Sequence, residues 1–287
     1  MALVLLNTPP RPASALRQLW ALSSYRVCAD AAANRLRDSI HLAMGNEEIV
    51  SGNPAALRAR LERLRTISRM HESMVPDAVT GDFDSIRPDV IEFYKQRGCT
   101  IAHDPDPDST DFDKALRLVE EAQSAAQRSA RNCTSSLGGE SKRSVASSSR
   151  RWTVIAFGAF GDRFDHELAS INVLNRYTRF DRLVLMGERM TATLLAPGRH
   201  VLRPNALIEG PTCGLLPIGG KCKAVWTSGL RWNLRGEPLE FGGVVSSSNQ
   251  ILSDPSTGAL EPISVTTTDP LVWTTVLRPD GWPSGTR

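Results

Sequence analysis

Short apolar runs alternate with segments of helical periodicity through the first 180 residues. The run from Leu3 to Leu6, closed shortly afterwards by two prolines, is typical of a buried strand, and residues 15–22 have helical character. Further strands are predicted at 26–29, 78–80, 100–102 and 152–157, and further helices at 54–70, 88–96, after residue 110 and at 165–176. This alternation predicts an α/β domain with a mainly parallel sheet over residues 1–180.

The pattern changes after about Asp181, where short β-rich pieces are separated by proline and glycine. Strands are predicted at 183–186, 191–195, 200–202, 229–234, 243–248 and 263–268. Pieces of this length and spacing are typical of antiparallel sheets, so residues 181–287 are predicted to form an all-β sandwich or barrel.

Residues 121–150 differ from both halves, since they contain nine serines, five basic residues and only scattered apolar side chains. Such a composition cannot bury enough apolar surface to offset the entropy lost on ordering. The segment is therefore predicted to be a disordered, serine-rich insertion in the first domain.

Composition excludes several classes of protein. The 34 basic and 31 acidic residues nearly cancel, so charge gives no reason to propose a nucleic-acid partner. No apolar run reaches the ~18 residues of a membrane span, and Met1 to Leu6 is too short for the core of a signal peptide. The five cysteines contain no Cys-x-x-Cys pair, which indicates neither a disulfide framework nor a zinc site. We expect a cytosolic protein without a membrane partner.

Aspartates gathered in three short clusters carry the chemical prediction: Asp82 and Asp84, Asp108 and Asp111, and Asp165. One aspartate before a helix is more often a cap than a ligand. Several together at loop positions favour magnesium, a hard cation that is usually held by one or two carboxylates and by substrate phosphates. The second cluster is expected at a helix N-terminus, where backbone N–H groups also favour phosphate.

The segments that carry these aspartates, with others in the same order along most of the chain, resemble the thiamine pyrophosphokinases of the eukaryotic type. They are Cys28-Ala-Asp30 with Ala33-Asn-Arg-Leu36, Gly81-Asp-Phe-Asp-Ser-Ile-Arg-Pro88, Asp106-Pro-Asp-Ser-Thr-Asp-Phe112 with Lys114, Arg163-Phe-Asp-His166 with Ala169-Ser-Ile-Asn172, Cys213-Gly-Leu-Leu-Pro-Ile-Gly219, Gly229-Leu-Arg-Trp-Asn-Leu234, Phe241-Gly with Val245-Ser-Ser-Ser-Asn249, and Thr268-Asp-Pro-Leu-Val-Trp273.

The resemblance implies an N-terminal α/β domain that binds ATP and a C-terminal β-sandwich that binds thiamine. It implies a homodimer whose active sites lie between the α/β domain of one subunit and the sandwich of the other. The implied reaction transfers the diphosphate of ATP to the hydroxyethyl group of thiamine, which gives thiamine diphosphate and AMP.

Roles in catalysis are carried over by motif. The resemblance implies magnesium ligands at Asp82, Asp84, Asp108 and Asp165, with Asp111 beside them. Either Asp84 or Asp108 is expected to orient or deprotonate the thiamine hydroxyl. The cations expected to meet phosphate oxygens are Arg163 and Lys114, with Arg35 a further candidate.

Roles in binding follow in the same way. For the nucleotide they fall on Asp30, Asn34, Arg35, Thr110 and Lys114, and for thiamine on Trp232, Ser246, Ser248 and Asn249. An aromatic face attracts a flat cationic heterocycle, which suits Trp232, although a core position is equally compatible with the sequence. Lone histidines such as His103 and His166 are left out of the predicted site.

Several positions depart from the family pattern. Ala31 and Ala32 replace two glycines, Asp162 replaces a glycine before Arg163, and Pro107 replaces a glutamine. These changes leave two alternatives open. One is a non-catalytic relative that binds thiamine or nucleotide as a sensor or partner subunit, and the other is a diphosphokinase that acts on a different alcohol.

Overall fold

The structure is a computed structural model that describes residues 1–45, 73–135, 151–161, 163–254, 256–278 and 281–282. It divides into two compact units, the first formed by residues 1–10 and 18–150 and the second by residues 11–17 and 151–287. The helix predicted at 54–70 lies outside the described residues, as does Asp162. No helix in the described ranges is long and apolar enough to cross a membrane.

The first unit contains a parallel sheet in which the strands pair in the order β1-β2-β3-β4. The strands are β1 (Ala2–Leu5), β2 (Tyr25–Ala29), β3 (Ala78–Gly81) and β4 (Thr100–His103). Helix α1 (Ala13–Leu22) is divided between the two units at residue 17, and the helices within the first unit are α2 (Ala32–Gly45), α3 (Pro88–Lys95) and α4 (Asp111–Ser135). Strands β1 and β3 are buried along their whole length, as expected for parallel strands covered on both faces.

Helix α4 begins at a reciprocal cap. The Thr110 hydroxyl donates to Asp113 Oδ2 at 2.8 Å, and the Asp113 N–H donates back to Thr110 Oγ1 at 3.2 Å. Each side chain thus satisfies a group at the helix start, in the manner of a capping box. The cap fixes Asp111 in the first turn of the helix.

The prediction that disorder begins at residue 121 is wrong for its first half, because α4 continues to Ser135. Alanines at 122, 125, 126 and 130 favour helix strongly. Gln123 is also buried, so the helix is supported by packing beyond the apolar positions that the sequence pattern identified. Residues 136–150 lie outside the described part of the chain.

The second unit begins with β5 (Thr153–Phe157), helix α5 (Phe164–Arg176) and β6 (Arg182–Met186), and β5 and β6 are parallel. The remaining strands are β7 (Met190–Leu195), β8 (Gly198–Leu202), β9 (Glu209–Leu216), β10 (Cys222–Ser228), β11 (Arg235–Leu239), β12 (Ser246–Gln250), β13 (Ile263–Thr267) and β14 (Leu271–Leu277). One sheet has the order β5-β6-β7-β14-β9-β12, and a four-stranded sheet has the order β8-β13-β10-β11.

Strands of both sheets contribute to one apolar core in the second unit. Leu215 and Leu271 come from the first sheet, and Val225 and Ile263 come from the four-stranded sheet; all four are fully buried. The C-terminal part is therefore an antiparallel β-sandwich, and the predicted fold class is confirmed.

One predicted strand, 229–234, is wrong. Gly229 has a φ of 84°, outside the range of a strand, and the backbone makes only an isolated bridge between Leu230 and Ile251. The Asn233 carboxamide oxygen accepts the Leu230 N–H at 3.2 Å and so replaces a ladder bond with a local one. The segment is a loop.

Candidate active site

The candidate site begins where two adjacent parallel strands end. Asp30 follows β2, and Asp82 and Asp84 follow β3. The strands pair in register up to Ala29 and Thr80, and the Asp30 N–H donates to the Thr80 carbonyl at 2.7 Å. The carboxyl ends of neighbouring parallel strands therefore bring the three carboxylates to one edge of the sheet, the usual place for ligands in such folds.

These three carboxylates are close enough to share a cation. One oxygen from each of Asp30, Asp82 and Asp84 lies within 4.8 Å of the others. Asp30 is only 3% exposed, and its Oδ1 has no hydrogen-bond partner among the described residues. Burial, together with the charges of Asp111, Asp84 and Asp82, raises the pKa of Asp30 to about 6. A buried carboxylate oxygen without a partner is costly, and a divalent cation would remove that cost.

A lysine lies against the same cluster. Lys114 Nζ is 3.3 Å from Asp111 Oδ1 and 3.7 Å from Asp82 Oδ2, and the lysine side chain is 1% exposed. Burial raises the pKa of Asp111, and the hydrogen bond and charge of Lys114 act in the opposite direction. The family resemblance implies that Lys114 meets substrate phosphate, whereas in the structure its ammonium lies between two carboxylates.

Gly81 permits this close arrangement. A Cβ at this position would lie 2.7 Å from Asp30 Cβ and 3.1 Å from Asp111 Oδ1. The first distance is too short for any real side chain, and the φ of 157° is also one that other residues rarely adopt. The glycine therefore lets the end of β3 pass between Asp30 and Asp111.

The turn that carries Asp82 and Asp84 is fixed by local contacts. The Asp84 N–H donates to Asp82 Oδ1 at 3.2 Å, and the Ser85 hydroxyl donates to Asp84 Oδ1 at 2.6 Å. Phe83 has a φ of 64°, an uncommon value for a bulky residue. His103 supports it, since its ring lies 5.2 Å from the Phe83 ring and its Nε2 is 3.0 Å from the Asp82 carbonyl oxygen. Sequence reasoning left His103 out, because nothing near it in the chain indicates this contact.

The side chains of Asn34 and Arg35 are hydrogen-bonded to other residues of the protein in this structure. The Asn34 amide donates to the Ser85 carbonyl at 2.9 Å, and its oxygen accepts the Arg87 N–H at 3.1 Å. Helix α2 is thereby tied to the turn after β3. Arg35 is exposed, and its Nε donates to Asn7 Oδ1 at 3.2 Å.

Asp108 lies on an exposed loop before α4 and is not one of the three clustered carboxylates. The loop is organised by Asp106, whose oxygens accept the Asp108 N–H at 3.0 Å and the Ser109 hydroxyl at 2.6 Å. Arg117 also binds the loop, with Nη2 2.8 Å from both Asp104 Oδ2 and Ser109 Oγ. The loop presents the Asp108 carboxylate to solvent.

Arg163 and Asp165 lie at the start of α5 in the second unit. Arg163 donates to both oxygens of Asp165, at 3.1 and 2.6 Å. Both side chains are more than 60% exposed, and the hydrogen bond from Arg163 lowers the pKa of Asp165. In this unit the two predicted site residues therefore pair with one another.

The residues predicted to meet thiamine are gathered around one loop of the sandwich. Asn249 is buried, and its side chain brackets Trp232 by accepting the Trp232 N–H at 3.3 Å and donating to the Trp232 carbonyl at 2.8 Å. The Asn249 amide also reaches Ser246 Oγ at 3.4 Å. Trp232 itself is 54% exposed, and Ser248 is exposed with a φ of 55°. Asn249 thus holds a loop that presents an aromatic face.

Two family models match the chain. The catalytic domain of thiamin pyrophosphokinase matches residues 16–186, and the vitamin B1 binding domain of thiamin pyrophosphokinase matches residues 199–272. The chain belongs to the thiamin pyrophosphokinase family. The predicted family is therefore confirmed, and the chain is an enzyme of that family.

Similar proteins agree with this assignment. Thiamine pyrophosphokinase 2 of Arabidopsis thaliana is 33% identical over 92% of this chain and 82% of its own length. Thiamine pyrophosphokinase 3 of rice (Oryza sativa subsp. japonica) is 34% identical over 91% of this chain and 82% of its own. The yeast thiamin pyrophosphokinase structure aligns with a TM-score of 0.71 at 24% identity, covering 98% of this chain and 87% of that one, which establishes the shared fold.

The boundary between the domains remains a prediction. The two thiamin pyrophosphokinase models leave it between residues 186 and 199, near the predicted position at 180. The compact units of the structure instead divide at 150, because β5 and α5 are grouped with the sandwich. The two divisions therefore differ by β5, α5 and β6, a β-α-β unit, and the division by packing also moves residues 11–17 into the second unit.

Proposed function

We propose that the protein transfers the diphosphate of ATP to the hydroxyethyl group of thiamine and releases AMP. The observation that carries the proposal is the cluster of Asp30, Asp82 and Asp84, in which Oδ1 of the buried Asp30 has no hydrogen-bond partner in the part of the chain that the structure describes. A magnesium–triphosphate complex is usually held by one or two carboxylates together with the phosphates, and this cluster offers such carboxylates.

The residues fit a magnesium ion. Asp30 joins Asp82 and Asp84 as a proposed ligand, although the sequence analysis gave it a role in nucleotide binding. Asp108 and Asp165, assigned through the family resemblance, remain proposed ligands. When bound, the ion would neutralise charge on the phosphate oxygens and so favour attack by an oxygen nucleophile.

Groups of the chain would position the phosphates. The first turn of α4 offers backbone N–H groups and the positive end of a 25-residue helix. Arg163 and Arg35, both exposed, supply guanidinium groups that bind phosphate oxygens in pairs. These groups would place the β-phosphorus and the attacking hydroxyl in line, which is most of what phosphoryl transfer requires.

In the transfer step the thiamine hydroxyl oxygen forms a bond to the β-phosphorus, and the bond from that phosphorus to the oxygen bridging the α-phosphate breaks. AMP leaves with the electron pair. The hydroxyl proton passes to Asp84 or to Asp108, and the two assignments remain open. Asp84 is the more constrained of the two, because Ser85 holds one of its oxygens.

Thiamine would be bound by the sandwich. Trp232 is 54% exposed and its ring already attracts one cation, since the Arg231 guanidinium lies 4.8 Å from the ring centroid; a cationic ring of the substrate would bind the opposite face or displace Arg231. The Ser246 and Ser248 hydroxyls are proposed partners of the aminopyrimidine. Both the side-chain oxygen and the amide of Asn249 are committed to the protein, so we propose that it acts by holding Trp232 in place.

We also propose that the enzyme works as a homodimer with active sites shared between subunits, in a cytosolic setting. Cys28, Cys99, Cys213 and Cys222 are free thiols, which is typical of a reducing compartment.

The alternative of a non-catalytic relative rested partly on Ala31 and Ala32. In the described ranges, non-glycine residues with positive φ are Asp30, Phe83 and Ser248, so neither alanine needs the backbone freedom of glycine. The backbone conformation of Ala31 and Ala32 therefore does not favour the sensor over the enzyme.

The test is formation of AMP and thiamine diphosphate from ATP, magnesium and thiamine by the purified protein, beside an Asp84→Ala control. We expect stoichiometric products that are lost by at least about a thousandfold in the control, since removal of a group acting on the transferred charge has effects of this order. A folded protein that makes neither product would support the sensor, and AMP formation with another alcohol but not with thiamine would support the changed acceptor.

A further inference from the structure

Lys114 stands apart from the other proposed phosphate-binding cations because it is buried. Its whole residue is 2% exposed, and it is among the largest fully buried side chains of the described residues. Arg163 and Arg35, by contrast, are exposed. A lysine that contacts substrate phosphate should present its ammonium to the open site, and this one does not.

The contacts of Lys114 are two carboxylates of the candidate site. Asp111 and Asp82 lie 3.3 and 3.7 Å from its Nζ, and Asp82 also belongs to the three-carboxylate cluster with Asp30 and Asp84. Charged groups are tolerated in protein interiors when they are paired. The ammonium therefore supplies one positive charge to a cluster that carries several negative ones.

We infer that Lys114 is a positioning residue that acts as a fixed internal counter-ion of the carboxylate cluster, competing electrostatically with the divalent cation and orienting Asp82 and Asp111. The inference rests on the proposed metal site. Lys114 then acts on the carboxylates that bind the metal ion, in place of the phosphate contact expected from the sequence.

The two roles predict different effects of a Lys114 substitution on metal binding in the absence of nucleotide. If Lys114 is a counter-ion, Lys114→Gln removes a positive charge close to the metal ligands. Mn²⁺ should then bind more tightly, by about fivefold or more, even with a high effective dielectric constant. If Lys114 is a phosphate ligand, Lys114→Gln should leave nucleotide-free Mn²⁺ binding unchanged and raise the KM for ATP.

The experiment titrates the nucleotide-free protein with Mn²⁺ and follows free Mn²⁺ by electron paramagnetic resonance. Two matched controls are available. Lys114→Arg keeps the charge, and Arg117→Gln removes one charge three residues further along the same helix, where the arginine pairs with Asp104 at 2.8 Å. Arg117 is 42% exposed, so solvent screens its charge and Arg117→Gln should bind Mn²⁺ within about twofold of the unchanged protein. Lys114→Arg should also bind within about twofold, because it keeps the positive charge.

Tighter Mn²⁺ binding by Lys114→Gln, with a reduced kcat, supports the inference. Unchanged or weaker binding overturns it. If the unchanged protein itself binds no Mn²⁺, both the proposed metal site and the inference are wrong. If the unchanged protein and Lys114→Gln bind Mn²⁺ equally well, the inference alone is wrong.

A measurement on the unchanged protein covers the case in which Lys114→Gln does not fold. Reductive methylation without metal or nucleotide should modify the exposed Lys95 and leave Lys114 unmodified. Methylation of Lys114 that is suppressed only when ATP is added would contradict the inference, because it would show an open ammonium that is covered by phosphate.

Discussion

Each unit contains a pair formed by an aspartate and a basic side chain, and the two pairs differ in how far the basic side chain is exposed to solvent. Asp111 pairs with Lys114 in the first turn of α4, and Asp165 pairs with Arg163 at the start of α5. The Lys114 side chain is 1% exposed and that of Arg163 is 63% exposed. The pKa of Asp111 is raised, mainly by burial, while the pKa of Asp165 is lowered, mainly by its hydrogen bond to Arg163.

The difference teaches which part of the site is built before substrate arrives. The Lys114 ammonium is buried although Asp111 is 34% exposed, and it cannot leave the pair without becoming an uncompensated buried charge, so it holds Asp111 in place. The exposed pair contributes little to stability, and its guanidinium can turn from Asp165 to a ligand at small cost. We therefore expect the first to act on structure and metal, and the second on substrate affinity.

The largest effect is expected from Gly81→Ala, which would disrupt the buried region. The new methyl group would lie 2.7 Å from Asp30 Cβ at a φ of 157°. Overpacking and backbone strain together should lower the free energy of unfolding by about 4 kcal/mol. Urea denaturation of the purified variant measures this directly.

Gly98→Ala is the matched control. Gly98 also has positive φ, at 82°, but a Cβ there would meet nothing within 4 Å. We expect a loss of about 1 kcal/mol from the backbone alone. Equal losses in the two variants would show that the approach of β3 to Asp30 is not tight.

A smaller effect, with a characteristic pH dependence, is expected from Asp30→Asn. Since the pKa of Asp30 rises from 3.8 to about 6 on folding, the folded state binds more protons than the unfolded state between these values. Ionisation of Asp30 therefore lowers stability as pH rises through 6. Without metal, Asp30→Asn should be more stable than the unchanged protein by up to about 3 kcal/mol above pH 7, and by little near pH 4.

Denaturation of both proteins across this pH range, with and without Mg²⁺, checks the prediction. Mg²⁺ should stabilise the unchanged protein and so reduce the difference in free energy of unfolding between Asp30→Asn and the unchanged protein. Asp106→Asn provides the contrast, because hydrogen bonds from Ser109 and the Asp108 N–H lower the pKa of Asp106, so this variant should be destabilised at neutral pH. If the difference in free energy of unfolding between Asp30→Asn and the unchanged protein does not change with pH, the raised pKa of Asp30 is contradicted.

The smallest stability effect is expected from Arg163→Gln. An exposed ion pair contributes about 0–1 kcal/mol, so the melting temperature should hardly change. The KM for ATP should rise, because the proposed role of this side chain is to bind phosphate. A large loss of stability with an unchanged KM would reverse the contrast between the two pairs.

The sequence predicted the parallel sheet well because its strands are short apolar runs with clear ends. In the sandwich, strands such as β10 (Cys222–Ser228) and β11 (Arg235–Leu239) were not predicted, since their buried positions are interrupted by polar residues. The 229–234 loop was predicted as a strand because the contacts that shape it include one from Asn249 to Trp232, 17 residues apart, in addition to the local bond between Asn233 and Leu230. Long-range polar contacts of this kind leave no local pattern.

For the site, the sequence identified the residue types but not which of them meet. The turn after β3 was predicted to carry ligands, and the structure places Asp82 and Asp84 together there. That Asp30 joins them depends on the pairing of β2 with β3, across a chain separation of about fifty residues. The burial of Lys114 likewise depends on how α4 packs on the sheet, which periodicity alone does not reveal.

The most direct test of the account is a crystal structure of the nucleotide-free protein soaked with Mn²⁺ and measured at the manganese absorption edge. We expect an anomalous peak that marks a Mn²⁺ ion coordinated by oxygens of Asp30, Asp82 and Asp84, with Lys114 still paired to Asp111. A peak that leaves Asp30 out, or no peak at this cluster, would contradict the account.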